Sequence, residues 1–321
     1  MTKLLVVVEH DRGRVPDATL EALTSARGIA SGLGVPVDAV VMGEGAELTY
    51  TLLGEYGAEV VHHLTSPNLG DYNPEAWGQA IAACVSAEHP AVVIASGTDR
   101  GNELMAQVAA RSNLPFVANC VDVSRDVTSM TRSQWGGALH EEATLSADIK
   151  LISLAPLVVE ATPSSAAGTL NEVAVDIDES LVRSVVRDRV VLSEGITLAT
   201  APVVVSGGRA VGSEEAFAPL EELAAELGGM VGCSRAVTNN GWRPHSDQVG
   251  QTGTRISPVI YIASGISGAT QHWVGAAGSK NILAINTDPE ANMVTKAGWA
   301  VIADLHEMIP AITAEVRKRK G

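Results

Sequence analysis

Residues 258–305 read PVIYIASGISGATQHWVGAAGSKNILAINTDPEANMVTKAGWAVIADL. An apolar strand, Val259 to Ala263, runs into the Gly-rich turn Ser264-Gly265-Ile266-Ser267-Gly268, and a helix-spaced run containing His272 follows. A second apolar strand, Asn281 to Ile285, ends on Asn286, and a third, Trp299 to Ala303, ends on Asp304. Strands alternating with crossovers in this rhythm predict a parallel α/β sheet. Polar residues recur where each strand finishes. Open parallel sheets bind ligands at that carboxyl edge, because helix N-termini and free backbone N–H groups collect there. A dinucleotide is the ligand this pattern nominates.

The same rhythm extends upstream. APVVVSGG, from Ala201, is a strand with a Gly-Gly turn, and Ser213 is placed to cap a helix over Glu214 to Leu227. Phe217, Leu220, Leu223, Ala224 and Leu227 give that helix its apolar stripe. GMVGCS is the next strand, and Arg235 to Asn240 a short helix. The last helix falls within Leu305 to Arg319, with Pro310 expected in its first turn.

The first half alternates too. LLVVVEH (4–10), VDAVVMG (37–43) and AVVIAS (91–96) are strands, with helices predicted over Asp17 to Leu33, Leu48 to Tyr56, Pro74 to Glu88 and Gly101 to Ser112. From about residue 118 the segments VANCVDVS, SADIKLISL and NEVAVDID are strand-like with no long helix between them, and antiparallel additions at the sheet edge are expected. The fold class is therefore α/β, as two three-layer α/β/α domains with mostly parallel sheets, the C-terminal one binding a dinucleotide. The expected boundaries are 1–192 for the N-terminal domain, 193–200 (SEGITLAT) for a linker and 201–321 for the second domain.

Composition narrows the function classes. The chain has 321 residues, 46% of them hydrophobic but only two Phe and four Tyr, which suits tightly packed α/β layers. A net charge of −15 argues against nucleic acid and anionic membrane as partners. No apolar run is long enough to span a bilayer, and the opening MTKLLVVVEH reads as a strand rather than a signal peptide. Cys84, Cys120 and Cys233 are odd in number and far apart, so neither a disulfide framework nor a zinc site is expected, and a cytoplasmic location fits.

The polar residues at the strand ends of the second domain are Arg209, Ser234-Arg235, Ser267-Gly268, Asn286 and Asp304, with the loop Gln248-Val249-Gly250-Gln251-Thr252-Gly253 between the second and third strands. Arg and backbone N–H groups suit a pyrophosphate, a carboxylate suits ribose hydroxyls, and Gly lets backbone approach closely. Any one such position is more often an ordinary solvated loop residue; the coincidence over five strand ends is the signal. No G-x-G-x-x-G follows a strand, and Gly265-x-x-Gly268 alone is weak. On spacing alone His272 reads as a surface helix residue, and its functional reading is as a donor to an anionic ligand atom. His10, between Glu9 and Asp11, reads as a solvated strand end. Adjacent His62 and His63 point to opposite strand faces and make a poor metal pair. The loop Ser96-Gly97-Thr98-Asp99-Arg100-Gly101 could be a nucleotide loop or an ordinary helix start, and both readings stay open. No Ser-His-Asp order, HExxH or P-loop is present.

The strings VVSGGRAVGS (204–213), VGCSRAVTNNGW (231–242), QVGQTG (248–253), YIASGISGATQH (261–272), AINTDPEA (284–291) and VIADL (301–305) together resemble the electron-transfer flavoprotein α subunit, in order and spacing. VVVEHDRG and the βα order extend the likeness into the first half. The resemblance implies an N-terminal domain of nucleotide-hydrolase-like architecture without a cofactor, and a C-terminal domain holding FAD. The FAD-contacting positions would be Arg209, Ser234, Arg235, Val249, Gly250, Gln251, Thr252, Ser267, Gly268, Ala269, Thr270, Gln271, His272, Asn286, Asp304 and Leu305. It places Thr252 near flavin N5, His272 as donor to the O2 edge and Arg235 beside the ring. Ser267 to Gln271 would handle the pyrophosphate, and Asn286 and Asp304 the adenosine.

The resemblance further implies a β-subunit partner that often carries AMP, donors of the acyl-CoA dehydrogenase type feeding from fatty-acid β-oxidation, and a quinone-linked oxidoreductase as acceptor. The chain would be an electron carrier with no catalytic residue of its own. It departs from the family pattern at Thr254-Arg255, at Asn292 and Val294, and at Ser153-Leu-Ala-Pro-Leu157, positions that bear on partner choice and flavin potential. An NAD-binding α/β enzyme and a cofactor-free scaffold subunit are the competing readings.

Overall fold

A computed structural model of the chain describes residues 3–135, 139–187 and 196–320. These divide into two compact units, the first made of 3–135 and 139–187 and the second of 196–320. The expected linker at 193–200 falls partly outside the described residues.

In the first unit, β1 (Leu4–Val7), α1 (Asp17–Leu33), β2 (Val37–Met42), α2 (Tyr50–Glu55), β3 (Val60–Thr65), α3 (Pro74–Glu88), β4 (Val92–Ser96) and α4 (Asp99–Ser112) form the alternating series. They are followed by β5 (Phe116–Val123), β6 (Ser129–Gln134), β7 (Leu139–Thr144), β8 (Lys150–Leu154) and β9 (Thr169–Ala174). The nine strands order as β7-β6-β5-β8-β4-β1-β2-β3-β9. Strand residues alternate between two cores, as a period of two requires. Leu4 and Val6 meet α1 through Leu20, Leu23 and Ala26. Leu5 and Val7 share the opposite core with Ile81 of α3 and Met105 of α4.

The strands after residue 118 match the expectation of antiparallel edge additions at β5 and depart from it at β8 and β9. β8 pairs in parallel with both β4 and β5, inside the sheet, and β9 pairs in parallel with β3 at the far edge. The antiparallel pairings are β5 with β6 and β6 with β7. The reason is hydrophobicity across both faces: the burial of Leu151, Ile152, Ser153 and Leu154 suits a central strand covered on each side.

The second unit contains β10 (Val203–Gly207), α5 (Ala218–Glu226), β11 (Met230–Cys233), α6 (Arg235–Asn239), β12 (Ile260–Ser264), α7 (Thr270–Ala276), β13 (Ile282–Asn286), α8 (Asn292–Lys296), β14 (Trp299–Ile302) and α9 (Leu305–Lys320). All its strand pairings are parallel, in the order β11-β10-β12-β13-β14. Val204, Tyr261, Ala263 and Ala284 pack on the α7 and α8 side, and Val205, Ile262 and Ile285 on the α5 and α9 side. Ser213 caps its segment through a 3.3 Å bond from the Ala216 N–H, but Glu215–Phe217 is a 3-10 turn and the α-helix starts only at Ala218. Pro310 lies inside α9 and not in its first turn; it is exposed, so the lost backbone bond faces water.

Candidate functional site

The chain runs from β10 to β11 on one side, crosses back to β12 on the other side of β10 and continues outward to β13 and β14, so the strand order reverses between β10 and β12. Ligands of open α/β sheets sit in the crevice outside such a reversal, since the two outgoing loops diverge there. In this unit the crevice is a cleft of about 410 Å³. It is lined by Arg209 and Ala210 after β10, Ser234 to Ala236 after β11, Gly265 to Ser267, Ala269, Gln271 and His272 after β12, and Asn286, Asp288 and Ala291 after β13.

Local chemistry shapes each wall. β12 is followed by Gly265 (φ +64°), where a Cβ would stand 2.6 Å from Ala210 Cβ and 2.7 Å from Leu305 Cδ2. Gly268 (φ +75°) passes so close to α8 that a Cβ would sit 2.3 Å from the Met293 nitrogen. Asn286 staples the β12 and β13 loops: its Nδ2 donates to the Ile266 carbonyl (3.1 Å) and its Oδ1 accepts from the Asp288 N–H (3.1 Å). Arg235 reaches from the start of α6 toward Gln271 Oε1 at 3.5 Å.

The 248–254 turn closes one side. Val249 N–H donates to the Cys233 carbonyl (2.9 Å) and Gln251 N–H to the Gln271 carbonyl (2.7 Å), which ties β11 to the first turn of α7. Gln248 is buried; its Nε2 donates to Thr252 Oγ1 (3.0 Å) while its Oε1 accepts from the Thr238 hydroxyl (2.7 Å). With its oxygen already accepting, the exposed Thr252 hydroxyl keeps its own proton to donate outward.

His272 corrects the surface reading. It is only 7% exposed, with Nε2 2.7 Å from the Tyr261 hydroxyl and Nδ1 buried without a hydrogen-bond partner among the described residues. Burial pushes its pKa down to about 4, against a smaller opposing effect of the Val249 backbone, so the ring is neutral at physiological pH.

Of the residues singled out in the sequence, Arg209, Ser234, Arg235, Ser267, Ala269, Gln271, His272 and Asn286 come together around the cleft. Val249, Gly250, Gln251 and Thr252 form the adjoining turn. Gly268 and Thr270 lie at the start of α7 but outside the lining, Asp304 accepts from the His306 N–H (2.9 Å) at the start of α9, and Leu305 is buried beneath Gly265. Ala210, Ala236, Gly265, Ile266, Asp288 and Ala291 line the cleft without having been singled out. Most of these offer only backbone or small apolar groups, which carry no chemical signal in a sequence. Asp288 had one, directly after the β13 strand end.

The first unit has its own strand reversal, between β1 and β4. There Thr98 caps α4, accepting from the Gly101 N–H at 2.9 Å, and donates to Glu9 Oε2 at 2.5 Å. The loop 96–101 thus opens α4 with its capping hydroxyl bonded to the chain's own Glu9 carboxylate. His10 is buried rather than solvated: Nε2 bonds the Met42 carbonyl (2.8 Å) and Nδ1 accepts from the Gly13 N–H (3.2 Å). The hollow beside it holds only about 20 Å³. His62 is buried against Asp38 (3.2 Å), with His63 on the other face. Among the described residues no group of three or more His, Cys, Asp or Glu could hold a metal ion, and no helix is long and apolar enough to cross a membrane. The three cysteines are free and buried, their thiols pushed up to about 12 by burial.

The cleft's donor set combines two guanidinium groups, the Ser234 and Ser267 hydroxyls, two side-chain amides and an imidazole with one unpartnered buried nitrogen. Such a set fits a ligand with a diphosphate and a heteroaromatic ring rich in acceptors, with Asp288 available to hydroxyls.

Comparison with known proteins agrees. Residues 197–277 match the family described as the electron transfer flavoprotein FAD-binding domain, and residues 4–179 that of the electron transfer flavoprotein domain. The electron transfer flavoprotein subunit alpha of Bacillus subtilis is 33% identical over 98% of this chain and 98% of its own length. Its counterpart from Mycobacterium leprae is 35% identical over the whole of both chains. Protein FixB of Bradyrhizobium diazoefficiens is 35% identical over 98% of this chain and 88% of its own.

Proposed function

The chain belongs to the electron transfer flavoprotein α-subunit family, and from that premise we propose that the β10–β12 cleft holds FAD. The protein is an electron carrier rather than a substrate-transforming enzyme. When bound, the isoalloxazine supplies the redox chemistry and the protein tunes it. The observation that carries the assignment is the convergence of Arg209, Arg235, Ser234, Ser267, Gln271, His272 and Asn286 from the ends of four parallel strands on one cleft.

The chain's own residues then divide the work. Arg235 and His272 lie together on the cleft lining and bring a positive charge and a neutral imidazole to the ring end. Gln248 orients the Thr252 hydroxyl as a donor. The 265–271 turn and Arg209 receive the diphosphate, and Asn286 with the 286–291 loop shapes the adenosine end. Val249, Gly250, Gln251, Gly268, Thr270, Asp304 and Leu305 complete the set as the turns that hold these groups in place. Residues 1–192 act as a domain without a cofactor, joined through 193–200 to the FAD domain at 201–321.

The partner is a β subunit that can carry AMP. Flavin dehydrogenases of the acyl-CoA type supply the electrons, a quinone-linked oxidoreductase takes them, and the setting is the cytoplasm. Co-expression with a β subunit tests the core reading: the purified complex should be yellow and carry one FAD per chain pair, reducible by an acyl-CoA dehydrogenase and its substrate. A colourless complex that takes up no added FAD would overturn it.

A further inference from the structure

Tyr261 is the second residue of β12, fully buried, with its hydroxyl 2.7 Å from Nε2 of His272. The two rings are nearly parallel, at 29° and 6.1 Å between centres. Two proton arrangements are open to the pair. In one, Nε2–H donates to the phenol oxygen, the phenol proton is left to the Ser206 hydroxyl, and Nδ1 stays bare although the Val249 backbone lies beside the ring. In the other, the phenol donates to Nε2 and the imidazole proton sits on Nδ1. The second arrangement uses the phenol proton, and it leaves the phenol oxygen free to accept from Ser206, a buried hydroxyl on β10 with no other partner among the described residues. It also gives Nδ1, buried on a residue that lines the cleft, a proton to donate, with the Val249 backbone beside the ring.

We propose that Tyr261 is a positioning residue that fixes His272, a residue of the cleft lining, with its proton on Nδ1, so that the imidazole can act from that nitrogen only as a donor. A histidine tautomer is set by the bond its other nitrogen makes. The inference rests on the FAD assignment for its consequence: an N–H held at the acceptor edge of the flavin favours the reduced form, which is richer in negative charge there. Burial disfavours the imidazolium form, so the device acts through orientation of a neutral ring and not through a positive charge.

The test uses [15N]histidine-labelled full-length chain purified with its β subunit. Long-range 1H–15N spectra distinguish protonated from bare ring nitrogens, and the His272 signals are those absent from His272→Gln. The expected wild-type pattern is a protonated Nδ1 and a bare Nε2 at neutral pH. Tyr261→Phe keeps the ring volume and removes the donor, so the Nε2–H form should gain population. In the same variant the preference of the site for reduced over oxidised FAD should fall roughly tenfold, a drop of about 30 mV for the two-electron couple. A bare Nδ1 in the wild type overturns the proposal, as does a variant in which tautomer and potential are both unchanged. If Tyr261→Phe does not fold, the wild-type spectrum alone decides. A wild-type complex without FAD would sink the cofactor assignment, while its His272 spectrum would still decide the Tyr261 proposal.

Discussion

Acid should weaken the second unit through one side chain. His272 is 7% exposed, and burial lowers its pKa from 6.5 to about 4, with only the Val249 backbone pulling the other way. An unfolded chain takes up the proton below about pH 6.5, whereas the folded one resists until about pH 4. Between those values the unfolded state binds more protons, so stability falls as pH falls. At about 1.36 kcal/mol per pK unit, the full penalty approaches about 3 kcal/mol, of which about 2 kcal/mol is felt by pH 5. Most carboxylates are still ionised at pH 5, which makes it the useful point. His10, whose pKa burial also lowers, acts in the same direction in the other unit, so the quantity to measure is a difference. Urea titrations of flavin-free wild type and His272→Gln at pH 7.5 and pH 5, fitted with separate transitions for the two units, isolate the effect. The second-unit transition should lose about 2 kcal/mol more in the wild type than in the variant. Equal losses in both would refute the reasoning, because the imidazole would then have ionised without leaving its buried site.

Gly268→Ala should cost at least about 2 kcal/mol, since the new methyl meets the Met293 backbone and the residue has φ +75°; a urea midpoint unchanged from wild type would show that the loop has room. Arg235→Ala should separate binding from stability. The side chain is exposed, so unfolding should move by no more than about 0.5 kcal/mol, while FAD affinity measured by flavin fluorescence should drop roughly tenfold. Asp38→Asn should cost about 2–3 kcal/mol in a chemical melt, because Lys3 (2.7 Å) and His62 (3.2 Å) both lose a buried carboxylate. Burial raises the Asp38 pKa, but the bonds from His62 and Lys3 outweigh it and hold it below the ordinary value. Its stabilising effect is therefore present above the usual carboxylate pKa and is lost as pH falls through the lower folded one.

Local pattern was enough for much of this protein. The apolar spacing of Leu20, Leu23, Ala26 and Ile29 marks α1 at its observed ends, and Pro74 to Glu88 coincides with α3, because amphipathic periodicity and end signals act within one element. The polar strand ends of residues 201–321 likewise announced one ligand edge, since parallel strands put all their carboxyl termini on the same side. What the string of residues did not contain was adjacency. Insertion of β8 between β4 and β5 depends on which strand offers a free edge and two apolar faces, and that is a property of the assembled sheet. The burial of His272 and its bond to Tyr261 arise only when α7 packs down on β12, and the Glu9 carboxylate reaches Thr98 only once β1 and β4 lie side by side. Hydrogen bonds and desolvation depend on distance in space, so the elements were legible in sequence, while the burial and hydrogen-bond partners of these side chains were decided by tertiary packing.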